Sequence, residues 1–137
     1  MQTMLKKVYF LIAFILLITT AGLSLAASFA PPQPKLKIIP EVWDLGKIKP
    51  SSSYSLSYKV YNPGRAALKI NNVRSSCGCT DVKISSKEIL PNEYATLEAT
   101  YRSGSIAGIV EKSIFLETNA PGQGNVAIKI KAEILPK

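Results

Sequence analysis

The sequence predicts an all-β fold, an antiparallel sandwich of seven or eight short strands, and three observations predict it. Beyond residue 35, apolar and polar side chains alternate with a period of two in segment after segment. Turns rich in Gly, Pro and Asn interrupt these segments at intervals of about ten residues. No stretch of the same region carries an i, i+3, i+4 apolar stripe of useful length.

The first 26 residues stand apart from this pattern. Lys6 and Lys7 precede an apolar run from Val8 to Ile18, and small residues follow through Ser24, Ala26 and Ala27. A positive start, an apolar middle and a small-x-small ending define a secretory signal peptide, with Ser24-Leu25-Ala26 as the best cleavage site. The competing reading is an uncleaved anchor over residues 8–25, since ~18 residues sit at the lower limit for spanning a bilayer. Residues 27–34 read as a linker, because Pro31, Pro32 and Pro34 favour extended geometry and block a helix. The sandwich is expected over residues 35–137.

Within it, Lys35–Ile39 and Glu41–Leu45 are the first extended segments. Tyr54, Leu56, Tyr58 and Val60 then alternate with Ser53, Ser55, Ser57 and Lys59. Asn62-Pro63-Gly64-Arg65 makes a hairpin-like break before Leu68 and Ile70. Val82 and Ile84, then Leu97, Ala99 and Tyr101, continue the alternation. Ile114 and Leu116 lie on one face before the turn at Thr118-Asn119-Ala120-Pro121-Gly122. Val126, Ile128, Ile130, Ala132 and Ile134 close the series. Lys59, Lys83, Lys129 and Lys131 fall at outward positions, so a solvated sheet face explains them better than a convergent cationic patch.

Composition narrows the chemistry. The chain has 17 Lys and Arg against 9 Asp and Glu, two cysteines and no histidine. Without histidine there is no Ser-His-Asp triad, no Cys-His pair and no His-containing zinc site. Two cysteines cannot build a disulfide framework or fill a four-thiolate metal site within one chain. Asp44, Asp81, Glu88, Glu93 and Glu98 show no spacing suited to paired acid–base work. Cleavage of the leader would remove Met1 and Met4, leaving Cys77 and Cys79 as the only soft metal ligands. It would also remove Lys6 and Lys7 and lower the net charge from +8 to +6. Export argues against nucleic acid as a partner.

Only Arg74-Ser75-Ser76-Cys77-Gly78-Cys79-Thr80 carries chemistry beyond packing. In an extended chain residues two apart face the same way. Their Cα atoms are then roughly 6.6 Å apart, near the upper limit of about 6.8 Å for a disulfide. Bridging the pair therefore needs a local bend, which Gly78 permits at low cost. Three readings stand side by side. The pair is a reversible dithiol/disulfide with a thiolate favoured by Arg74, a two-thiolate site for Cu(I), or a filling of a turn between strands by small apolar side chains or a passive bridge.

Several segments occur together in order: Trp43-Asp44-Leu45-Gly46, Asn62-Pro63-Gly64, Leu68-x-Ile70-x-x-Val73, Ser76-Cys77-Gly78-Cys79-Thr80, Ile89-Leu90-Pro91 and Thr118-Asn119. With them the chain resembles the bacterial exported domain-of-unknown-function family 1573. The resemblance implies an immunoglobulin-like sandwich, similar to chaperone-like and cilia-associated modules, and export; it implies no established activity. Trp43 and Leu45 stand where the family often has phenylalanine, and Asn92 where glycine usually follows the proline. The expected function is a non-enzymatic interaction or structural module of the cell envelope, periplasmic or extracellular, with an unknown envelope protein as partner. Capture would use an edge strand or the loops at one end of the sandwich. The alternative is thiol-redox exchange or copper handling at Cys77 and Cys79.

Overall fold

A computed structural model describes residues 2–21 and 30–137. The chain divides into two compact units, Met1–Pro31 and Pro32–Lys137. The first contains one helix, α1 (Gln2–Ala21), with Lys6 and Lys7 exposed. Among the described residues no helix is long and apolar enough to cross a membrane. The expected cleavage site, Ser24 to Ser28, and the end of the 8–25 segment lie outside the described residues.

The second unit is the β-sandwich. Its strands are β1 (Lys37–Ile39), β2 (Val42–Ile48), β3 (Ser53–Tyr61), β4 (Leu68–Ser75), β5 (Thr80–Ile84), β6 (Glu88–Ile89), β7 (Tyr94–Arg102), β8 (Gly108–Thr118) and β9 (Asn125–Ile134). One sheet has the order β1-β3-β7-β5 and the other β2-β9-β8-β4-β6. The expected alternation holds where it was strongest. Leu56, Tyr58 and Val60 of β3, Leu97, Ala99 and Tyr101 of β7, and Ile128, Ile130, Ala132 and Ile134 of β9 are buried between the sheets. Each Leu or Ile taken out of water there contributes about 1.5–3 kcal/mol.

Three features depart from the expected pattern. Nine strands form among the described residues, because the two-residue β6 is too short to leave a periodic trace. The sandwich is not wholly antiparallel, since β2 runs parallel to β9. Asn62-Pro63-Gly64-Arg65 is also no hairpin. It carries the chain from β3 in one sheet to β4 in the other.

Asn62 is fully buried and organises that crossover. Its side-chain oxygen accepts from the backbone N–H of Gly64 at 3.0 Å and of Lys35 at 3.2 Å. Its amide donates to the carbonyls of Ala66 at 2.8 Å and Ile89 at 2.9 Å. One side chain thus ties the segment ahead of β1, the crossover and β6 together, with all its polar capacity used. Gly64 is needed for a different reason. A Cβ there would meet the backbone of Gln33 and Lys35 at 2.5 Å, so only glycine lets the incoming chain pass. Nearby, Asn92 adopts φ +63, the left-handed conformation that asparagine tolerates better than most residues.

Trp43 meets Tyr58 edge-to-face at 6.3 Å between ring centroids, a favoured aromatic geometry. Burial pushes the Tyr58 hydroxyl well above the ordinary tyrosine range.

Candidate functional site

The Ser76–Cys79 turn links β4 to β5, and so switches the chain from the five-stranded to the four-stranded sheet in four residues. Cys77 and Cys79 are joined by a disulfide, with Cα atoms 5.2 Å apart. The chain has contracted from the extended spacing, as bridging requires. The bend does not use a conformation reserved for glycine, however, since Gly78 is absent from the positive-φ residues, which include Gly46, Gly108 and Gly122. A Cβ at Gly78 would meet nothing within 4 Å.

A set of hydrogen bonds surrounds the turn. Ser75 Oγ donates to the Cys77 carbonyl at 2.6 Å, and Ser76 N–H donates to the Ser113 carbonyl at 2.8 Å. Ser76 Oγ in return accepts from Ser113 N–H at 3.0 Å. Thr80 is buried, and its hydroxyl lies 3.9 Å from the sulfurs of both Cys77 and Cys79. Both cysteines are half-buried, and Cys79 also packs against the core.

The expected role of Arg74 is corrected. Its guanidinium sits over the Phe115 ring, 4.5 Å from the centroid, and Nε lies 3.9 Å from Glu117. The cation at the cysteine turn is Arg102, which sequence reasoning missed. Its side chain donates to the Gly78 carbonyl at 3.0 Å and pairs with Asp81, while its backbone N–H donates to the Cys79 carbonyl at 2.8 Å. The signal for it lies in strand register: Thr80 pairs with Tyr101, so Arg102 falls opposite the turn. Alternation alone cannot supply that register.

The Cu(I) reading needs two thiolates, and both sulfurs are committed to the disulfide. Among the described residues no three His, Cys, Asp or Glu side chains come together in a way that could hold a metal ion. The outward lysines divide between the sheets. Lys59 sits 4.1 Å over the Tyr94 ring on the four-stranded sheet, whereas Lys129 and Lys131 lie 2.7 and 3.8 Å from Glu111 on the other. They do not converge on one patch.

Beside the disulfide lies an open groove of about 500 Å³, lined by Cys79, Arg102, Ile106, Val110, Lys112 and Ile134 among others. The β7–β8 connection forms one wall. Ile106 is 83% exposed and Ile109, next to Val110, is 89% exposed. Ile106 thus leaves a large apolar side chain open on the wall of this groove.

Fold and turn together define a class: an immunoglobulin-like, PapD-like β-sandwich domain whose sheet-switching turn is closed by a disulfide. A family model described as a protein of unknown function (DUF1573) matches residues 36–134. The chain belongs to that family. No curated protein matches it. Among solved structures it is similar to a protein of unknown function from Porphyromonas gingivalis W83, with 17% identity and a TM-score of 0.66 over 80% of this chain and 51% of that one. It is also similar to the ASH / PapD-like domain 7 of human CEP192, with 10% identity and a TM-score of 0.57 over 82% and 94%. The Vibrio cholerae VesB protease aligns at 17% identity and a TM-score of 0.57, over 72% of this chain and 31% of that one. The chain thus spans about half of the first of these proteins and under a third of the protease.

Proposed function

We propose that this protein is an exported, non-enzymatic binding module of the cell envelope, which holds an apolar segment of another envelope protein in the groove beside the disulfide. The observation that carries this reading is Ile106, 83% exposed on the wall of that groove, with the half-buried Val110 and the buried Ile134 lining it too. Isolated exposed apolar residues are ordinary, whereas one standing on the wall of a concave, partly apolar surface favours a partner. Lys112 lines the same groove and makes no ion pair among the described residues, so the segment that fits carries acidic residues beside its apolar ones. Export is supported by the Lys6-Lys7 start and apolar run of the leader, and by a disulfide, which persists in oxidising compartments.

The test is site-specific photo-cross-linking in cells, from position 106 of the full chain, with position 55 on the outer face of the four-stranded sheet as control. A discrete adduct with another envelope protein is expected from position 106 and absent from position 55. No adduct, an adduct with a second copy of this chain, or equal adducts from both positions would overturn the proposal.

A further inference from the structure

We infer that the Cys77–Cys79 disulfide is a reversible thiol-exchange site, opened by a thiolate that approaches through the groove and attacks the sulfur of Cys79. The turn is supported by more than the sulfur–sulfur bond, because the carbonyls of Cys77, Gly78 and Cys79 accept from Ser75 Oγ, Arg102 Nη2 and Arg102 N–H respectively. The bond joins residues only two apart, and disulfide stabilisation in the chain-entropy model is smallest for the shortest loops. The bond therefore contributes little as a staple, and opening it leaves two sulfurs held side by side.

Access and leaving-group chemistry agree with this. Cys79 lines the open groove, and the space above Gly78 is empty, since a Cβ there would touch nothing within 4 Å. The groove therefore gives a nucleophile a path to Cys79. The Thr80 hydroxyl, 3.9 Å from both sulfurs, is placed to donate to whichever one departs as a thiolate.

The reductant is a dithiol, and the exchange balances with it. Its first thiolate bonds to Cys79 sulfur, the Cys77–Cys79 bond breaks, and Cys77 leaves with the electron pair as a thiolate. The second thiolate of the reductant then attacks the first, releasing Cys79 and closing the reductant's own disulfide. The turn gains two electrons and takes up two protons, and the dithiol loses both.

The inference does not depend on the apolar partner, because small thiols test it. The full chain is incubated with reduced glutathione and quenched in acid, and the adduct is located by fragment mass spectrometry. A mixed disulfide on Cys79, with Cys77 free, is expected. Dithiothreitol should then give two free thiols with an unchanged far-UV circular dichroism spectrum, and oxidised glutathione should restore the bond. A pair that opens only in denaturant, a spectrum lost on reduction, or an adduct on Cys77 would overturn the inference. Ile106→Trp narrows the groove and should slow the glutathione reaction tenfold or more at an unchanged Tm; an unchanged rate would also count against it. Adduct mapping in the wild type decides the attacked sulfur whether or not that variant folds.

Discussion

Two glycines, each in a three-residue motif at a sheet-to-sheet crossover, differ in what surrounds them. Gly64 is enclosed, with the backbone of residues 33 and 35 at 2.5 Å from where its Cβ would be. Gly78 is open, with nothing within 4 Å and no left-handed conformation to adopt. The corner at Asn62 spends its polar groups on the fold, four side-chain hydrogen bonds in all. The corner at Cys77 takes its support from neighbours and leaves its own side chains half-buried, with Cys79 on the wall of an open groove. Similar sequence punctuation thus serves architecture at one end and accessible chemistry at the other.

The sharpest way to break this contrast is Asn62→Ala. Orphaning several buried backbone groups at once should cost about 3 kcal/mol or more, read from the urea midpoint. Gly64→Ala should follow at about 2–3 kcal/mol, because the incoming chain must move to admit the methyl. At the other corner, Cys77→Ser with Cys79→Ser should cost only about 1.5 kcal/mol, the chain-entropy value for so short a loop. A loss as large as that of Asn62→Ala would merge the two corners into one structural class. Gly78→Ala should stay within about 0.5 kcal/mol of wild type, since its site is neither crowded nor left-handed.

The smallest effect concerns charge away from both corners. A hydrogen bond from Lys129 holds the Glu111 carboxyl below its ordinary range, with the nearby charges of Lys129 and Lys131 adding to it. A depressed carboxylate contributes stability above its unfolded pKa and loses it as pH falls through the folded one. Lys129→Gln should therefore raise the Glu111 titration midpoint, followed by NMR, and leave stability near neutral pH almost unchanged.

How much of this was legible beforehand follows from what kind of physics each feature uses. The long strands were readable, because burial on one face imposes a period of two, as in Leu56-x-Tyr58-x-Val60. The two-residue β6 and the parallel partnership of β2 with β9 were not, since pairing direction leaves no trace within a single segment. Asn62-Pro63-Gly64 was recognisable as a turn, yet its central role arises from contacts with residues 35 and 89, distant in sequence. The cysteine pair was legible as the site. Its cation was misassigned to the sequence neighbour Arg74, because Arg102 reaches the turn only through the register of β5 on β7.

The crossovers also give the sandwich a direction. The polypeptide comes in past Gly64 and Asn62, beside the Tyr61–Tyr94 ends of β3 and β7, whereas the disulfide turn lies by their Ser53–Arg102 ends. At roughly 3.3 Å per residue along the nine-residue β3, these ends are about 26 Å apart. The last strand finishes at the disulfide end, where Ile134 pairs with Gly108. Residues 33–35 and the end of β9 therefore lie at opposite ends of the sandwich, and the sulfurs share the end at which β9 finishes.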